Sequence, residues 1–167
     1  MSTQKLDPLI FLLLRNLDQA YDQKAWHGPN LRGAIRRVDA AEASWHFHPK
    51  RHSIADIVVH CAYWKYAVRR RLRGGKRGSF ALKGSNWFSL PAQLSEAEWR
   101  GYVALLDAEH RTLRETIAEL PAPQLHVKSG KSKVYNSTMI YGIAAHDLYH
   151  AGQIQVLKRL QSDGSHA

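Results

Sequence analysis

The residues best equipped for chemistry are His146 and His150, in the segment Ala-Ala-His-Asp-Leu-Tyr-His-Ala-Gly. Side chains four apart on a helix stand one turn above each other on one face, so both imidazoles can reach a single ion. Met139, Ile143, Ile154 and Leu157 share that face, while Gln155, Lys158 and Arg159 point away from it, so the pair is expected to look into the protein. Two other histidines compete to join them. His60 lies on an apolar stripe with Ile57, Trp64, Ala67 and Val68, and His110 lies on another with Trp99, Tyr102, Val103, Leu106, Leu113 and Ile117. Periodicity does not choose between them. Burying three neutral imidazoles costs several kcal/mol unless their nitrogens find partners, and one divalent cation satisfies all three. Three protein ligands leave a position for water or substrate, as in catalytic zinc sites.

The zincin motif is absent, because Asp147 stands where that motif has its Glu and is turned away from the histidine face. Asp56, one turn before His60, is a candidate partner for that ring's other nitrogen, with a solvated first-turn acid as the bland reading. Tyr63, Trp64, Tyr149 and Gln153 flank the histidines by helical geometry and are expected around a pocket or in the core. Cys61 should pack as a small apolar residue. His27, His46, His48 and His52 fall in expected loops, where exposure is the default reading.

Helices must position these groups, since apolar spacing of three and four recurs in four long stretches and no alternating strand pattern stands out. Asp7 and Pro8 open the first helix, expected to reach about Gln23 with Leu9, Phe11, Leu13, Leu14, Leu17 and Tyr21 on its buried side. Asn30 caps a short helix to about Val38. The second long helix begins at Ser53 and stops near Arg73, before Gly74 and Gly75. Ser95 and Glu98 form a capping box for the third, with Leu94 and Trp99 as its hydrophobic staple, and Pro121 follows its end near Leu120. The fourth spans about Ser137 to Gln161. Residues 74 to 94 and 121 to 136, the latter including the polar stretch Lys128 to Lys133, are long connections.

Length and composition agree with a single all-α domain over residues 1–167: 44% of residues are apolar and 23% charged, enough for a core and too ordered a mixture for a disordered chain. The lone Cys61 excludes a disulfide scaffold, and the run Leu9 to Leu14 is far too short to span a bilayer, so a cytoplasmic protein without a membrane is expected. Net charge is +10, and from Ile57 to Ser95 there is no acid but eight cations, namely Lys65, Arg69, Arg70, Arg71, Arg73, Lys76, Arg77 and Lys83. Those at the end of the second helix complement its dipole. The run Arg69 to Arg77 also suits nucleic acid, yet no recognition helix or aromatic interleaving accompanies it, so nucleic acid is the weaker reading. An anionic small-molecule substrate fits the same charge.

The block Ile-Val-Val-His-Cys-Ala-Tyr-Trp-Lys around His60, followed by Ala-Ala-His-Asp-Leu-Tyr-His-Ala-Gly-Gln-Ile, resembles the DinB/YfiT-like superfamily. The resemblance implies a four-helix bundle of up, down, down, up connectivity, with one metal-binding histidine from the second helix and two from the fourth. By matching position it selects His60, His146 and His150 over any set with His110. It further implies a divalent metal ion, zinc or nickel, a homodimer, and in some relatives the use of a low-molecular-weight thiol. The function expected is a metal-dependent transferase using such a thiol, or a related hydrolase. The alternatives are a non-catalytic metal-binding stress protein and a basic nucleic-acid-binding protein.

Overall fold

The structure, a computed structural model, describes residues 6–78, 80–130 and 132–164. Among these there are helices and no strand: α1 Pro8–Tyr21, α2 Leu31–Ala34, α3 Ala40–Ser44, α4 Ile54–Leu72, α5 Glu96–Ala118 and α6 Asn136–Gly164, with a 3-10 turn at Ala122–His126. The starts of α1 to α5 have local causes. Asp7 caps α1 by accepting from the Leu9 and Ile10 amides, with Pro8 in the first turn where no amide hydrogen is needed. Capping boxes open α3 (Asp39 and Glu42), α4 (Ser53 and Asp56) and α5 (Ser95 and Glu98).

Two boundaries depart from the sequence expectation. α2 ends at Ala34 rather than near Val38, because Arg37 takes a left-handed φ of 64° that a helix cannot continue through. α3 was not expected; its signal is the Asp39-Ala-Ala-Glu42 box. The buried side of α1 also differs: Ile10, Leu13, Leu14, Leu17, Ala20 and Tyr21 are buried, whereas Leu9 and Phe11 are exposed. The buried set keeps the three-and-four spacing, and the two exceptions lie off that stripe.

The four long helices close on one another, α4 against α5 and α6, and α1 against α5 and α6. Their interior divides into two apolar clusters, one around Leu31, Ile54, Val58 and Leu106, the other around Leu17, Leu113, Ile117 and Ile140. Leu94 and Trp99 both pack into the first, as the staple requires.

Between these clusters lies a buried polar chain. Lys65 is fully buried and forms an ion pair with the equally buried Asp147, tying α4 to α6. Its ammonium also stands 3.3 Å from Nδ1 of His110 and over the Tyr21 ring, and the His110 ring stacks on Tyr21 with centroids 3.6 Å apart. The Tyr21 hydroxyl in turn donates to Asp107. Lys65 is therefore no part of the surface charge. Arg69 and Arg73 are engaged as well, with Glu109 and Glu119 of and beyond α5.

Removing one member of a buried ion pair strands the other charge in a low-dielectric interior, which costs about 3–5 kcal/mol, whereas replacing both by apolar groups is far milder. Lys65→Met is thus expected to destabilise the fold by that amount in chemical denaturation. The double variant Lys65→Met/Asp147→Leu should recover most of the loss, and a double variant destabilised by the sum of the Lys65→Met and Asp147→Leu losses would show that the pair is not coupled.

Candidate metal centre

His60 from the middle of α4 and His146 and His150 from the middle of α6 meet at the wall of a cleft. The Nε2 atoms of His60 and His146 are 3.1 Å apart, as are those of His150 and His146. All three residues offer one nitrogen each within 4.8 Å of the others. The outer nitrogens fix the tautomers. His60 Nδ1 lies 2.9 Å from the Asn86 carbonyl, which can only accept, so that nitrogen carries the proton and Nε2 is a bare lone pair. His150 Nδ1 lies 2.7 Å from Oε1 of Gln153, whose amide nitrogen donates to the Tyr149 hydroxyl, so His150 Nε2 is bare too. His146 Nε2 can offer one hydrogen to one of these two lone pairs and never to both. Its Nδ1 is buried without a partner.

Three imidazoles thus present more lone pairs than hydrogens at one point, and a cation resolves the mismatch. Nitrogens held at about 2.0–2.1 Å around a tetrahedral ion stand roughly 3.3 Å apart, close to the spacing seen. The residues present therefore fit a divalent metal. A second grouping, Cys61 with His146 and Asp147, also lies within 4.8 Å. It is a poorer ligand set, because burial pushes the Cys61 thiol up and Asp147 is committed to Lys65.

Asp56 does not support His60. Its carboxylate accepts from the Ser53 amide and hydroxyl, and the His46 ring lies 3.2 Å away. Capping α4 occupies it, and the backbone carbonyl of Asn86 takes the place expected for it. His110 is likewise not with the trio; it sits in the Lys65 and Tyr21 chain. Of the four flanking residues, Trp64, Tyr149 and Gln153 line the cleft, while Tyr63 turns toward Phe80 and Phe88.

The connection between α4 and α5 supplies what periodicity could not reveal. Asn86 holds His60 through its carbonyl and takes the Trp64 indole hydrogen on its side chain at 2.9 Å, adopting a φ of 64° to do both. Trp87 lies flat between His60 and His52, with centroids 3.8 and 3.5 Å away and interplanar angles of 10° and 6°. His52 is exposed, as its loop position suggested, yet it belongs to the site. The cleft, about 950 Å³, is walled mainly by Trp64, Trp87, Phe47, Ile57 and Val156, with Arg51 as its one arginine and no carboxylate in its lining.

A family model for the DinB superfamily matches residues 23–154 of this chain. Comparison with curated proteins and with solved structures returns no match.

The histidines are held neutral. Burial lowers His60 from the ordinary 6.5 to about 4 and His146 to about 3, and lowers His150 as well. In the neighbouring chain burial, then the Lys65 charge, brings His110 to about 2. The unfolded chain would bind protons at these four groups below about pH 6.5, while in the folded chain all four are shifted down, His60 to about 4, so stability falls as pH drops below about 6.5. Burial raises the Asp147 carboxyl, which works in the opposite direction, one group against four. The thermal midpoint of the metal-free protein is therefore expected to fall steadily from pH 7 to pH 4.5. A midpoint flat across that range would show that the rings are not buried as neutral bases.

Proposed function

The chain belongs to the DinB superfamily, and from that premise we propose that it is a metal-dependent enzyme that transfers a low-molecular-weight thiol to a small electrophile, with His60, His146 and His150 holding zinc or nickel. The observation that carries this reading is the convergence of three Nε2 atoms, with those of His60 and His150 left bare by the partners of their outer nitrogens. The finer architecture that goes with it is an up, down, down, up four-helix bundle in a cytoplasmic homodimer. Phe11 and Leu12 on α1, 54% and 62% exposed, offer apolar surface for the second copy.

A divalent ion bound by neutral imidazoles supplies the charge that favours the deprotonated form of a thiol, or of water in the hydrolytic variant, near neutral pH. The chain's own groups do the rest. The Asn86 carbonyl and Gln153 amide hold the His60 and His150 rings in the tautomer that aims a lone pair inward, and such outer partners sharpen affinity and orientation. Trp87, Trp64 and Phe47 give the cleft apolar walls that bind the body of a substrate and exclude water. Arg51 at the same cleft can hold a carboxylate or other acidic group of the substrate. His52, the cleft imidazole outside the trio, is placed to exchange a proton with solvent.

Metal analysis of purified protein reconstituted with zinc or nickel is expected to find bound ion. His146→Ala should lose it, Gln153→Ala should weaken it about ten-fold, and His110→Ala should retain it. Incubation of the loaded protein with an electrophile and a panel of cellular thiols should show acceleration that disappears with the metal. No uptake would defeat the metal reading; uptake without metal-dependent acceleration would leave a metal-binding stress protein in its place.

A further inference from the structure

Away from the histidines, Arg70, Arg71, Arg77 and Lys133 line a second cleft of about 490 Å³, between the end of α4 and the loop leading to α6, and no carboxylate lines it. Their neighbours show what an internal role for such cations looks like. Arg69 and Arg73, which face α5, have Glu109 and Glu119 as partners, whereas none of the four cleft cations is in an ion pair among the described residues. Part of the cleft is already ordered. Arg70 donates from Nη1 to the Gly75 carbonyl at 3.0 Å, which fixes its guanidinium, and its Nε is buried with no partner. Arg71 is held over the Trp64 ring at 5.7 Å.

The backbone shapes the two walls. Gly74, at a φ of 67°, turns the chain at the end of α4, and Gly130, at 59°, turns the opposite loop, where the Ser132 amide donates to the Ser129 carbonyl at 3.1 Å. Val134 and Met139 place the cleft beside the start of α6, the positive end of that helix's dipole. Gathering four like charges around one concave space is unfavourable, and an anion seated among them relieves it. Guanidinium groups recognise phosphoryl and carboxylate oxygens through paired hydrogen bonds, and a fixed one loses less freedom on binding.

We propose that this cleft is a binding site for a multiply charged small-molecule anion, carried as phosphoryl or carboxylate groups and held by Arg70, Arg71, Arg77 and Lys133. A narrow groove of about 180 Å³, lined by Arg71, Met139, Trp64 and His146, leads from it toward the histidines, so the two sites lie along one continuous surface. The anion site stands independently of the metal reading.

Isothermal titration with inorganic pyrophosphate and with citrate, at constant ionic strength, is expected to show saturable binding of at least one probe. The stronger probe assigns the group as phosphoryl or carboxylate. Arg77→Gln should weaken binding about ten-fold and Arg77→Gln/Lys133→Gln further, since each removes a charge-assisted contact. Both residues are exposed, and thermal melts of the variants verify folding. Metal content measured on the same samples should be unchanged, and His146→Ala should bind the anion as wild type does, so the two sites fail or stand separately. No saturable binding of either probe, binding unaltered in the double variant, or an oligonucleotide held tightly and not displaced by pyrophosphate would overturn the proposal.

Discussion

Adjacent residues on α6 make opposite demands, and the register of the molecule follows from meeting both. Asp147 must face the protein interior, because Lys65 of α4 is buried there with no other carboxylate paired to it among the described residues. Sliding α6 by one residue would leave both charges unpaired in a medium where each costs several kcal/mol. With Asp147 pinned, His146 and His150 are turned toward the cleft, and α4, pinned through the same pair, sets His60 opposite them. Neither member of the ion pair lines the cleft. The pair determines where the three imidazoles can meet.

That constraint explains which parts of the site were legible from the amino-acid order. His146 and His150 are four apart on one helix, and spacing alone makes them neighbours. Choosing His60 over His110 was different, because both lie on apolar stripes and both prove to be buried. Periodicity reports burial, not the azimuth at which two helices face each other. His110 lost its claim through contacts that join three helices, stacking on Tyr21 of α1 and meeting Lys65 of α4. Lys65 counts with the basic segment for the same reason: the order of residues does not separate a buried cation from a surface one until the partner carboxylate on a distant helix is located.

Caps were legible because their chemistry is local. Asp7, Ser53 and Ser95 announce α1, α4 and α5 within four residues, and the structure places those starts accordingly. The same locality gave Asp56 its true role, as the reciprocal acid of the α4 capping box, although its position one turn before His60 suggested another. Asn86 and Trp87 carried no comparable signal. They lie in a connection rich in glycine, serine and lysine, and their places against His60 depend on the path of that whole segment, including a left-handed Asn86. Asparagine tolerates this φ better than most residues, which permits the conformation without predicting it.

The electrostatic setting joins the two clefts. Neutral imidazoles bring no negative charge, so a divalent ion among them would keep its full +2 in a chain already carrying +10. The charge on Lys65 also helps hold His146 in the neutral form that can donate a lone pair. A centre of this kind favours anionic nucleophiles and anionic substrates over neutral ones, and apolar walls that exclude water strengthen the preference. The arginines beyond Trp64 extend the same field along the surface. Positive charge is therefore the common feature of both sites, supplied by guanidinium groups in one and, on the proposed reading, by a metal in the other.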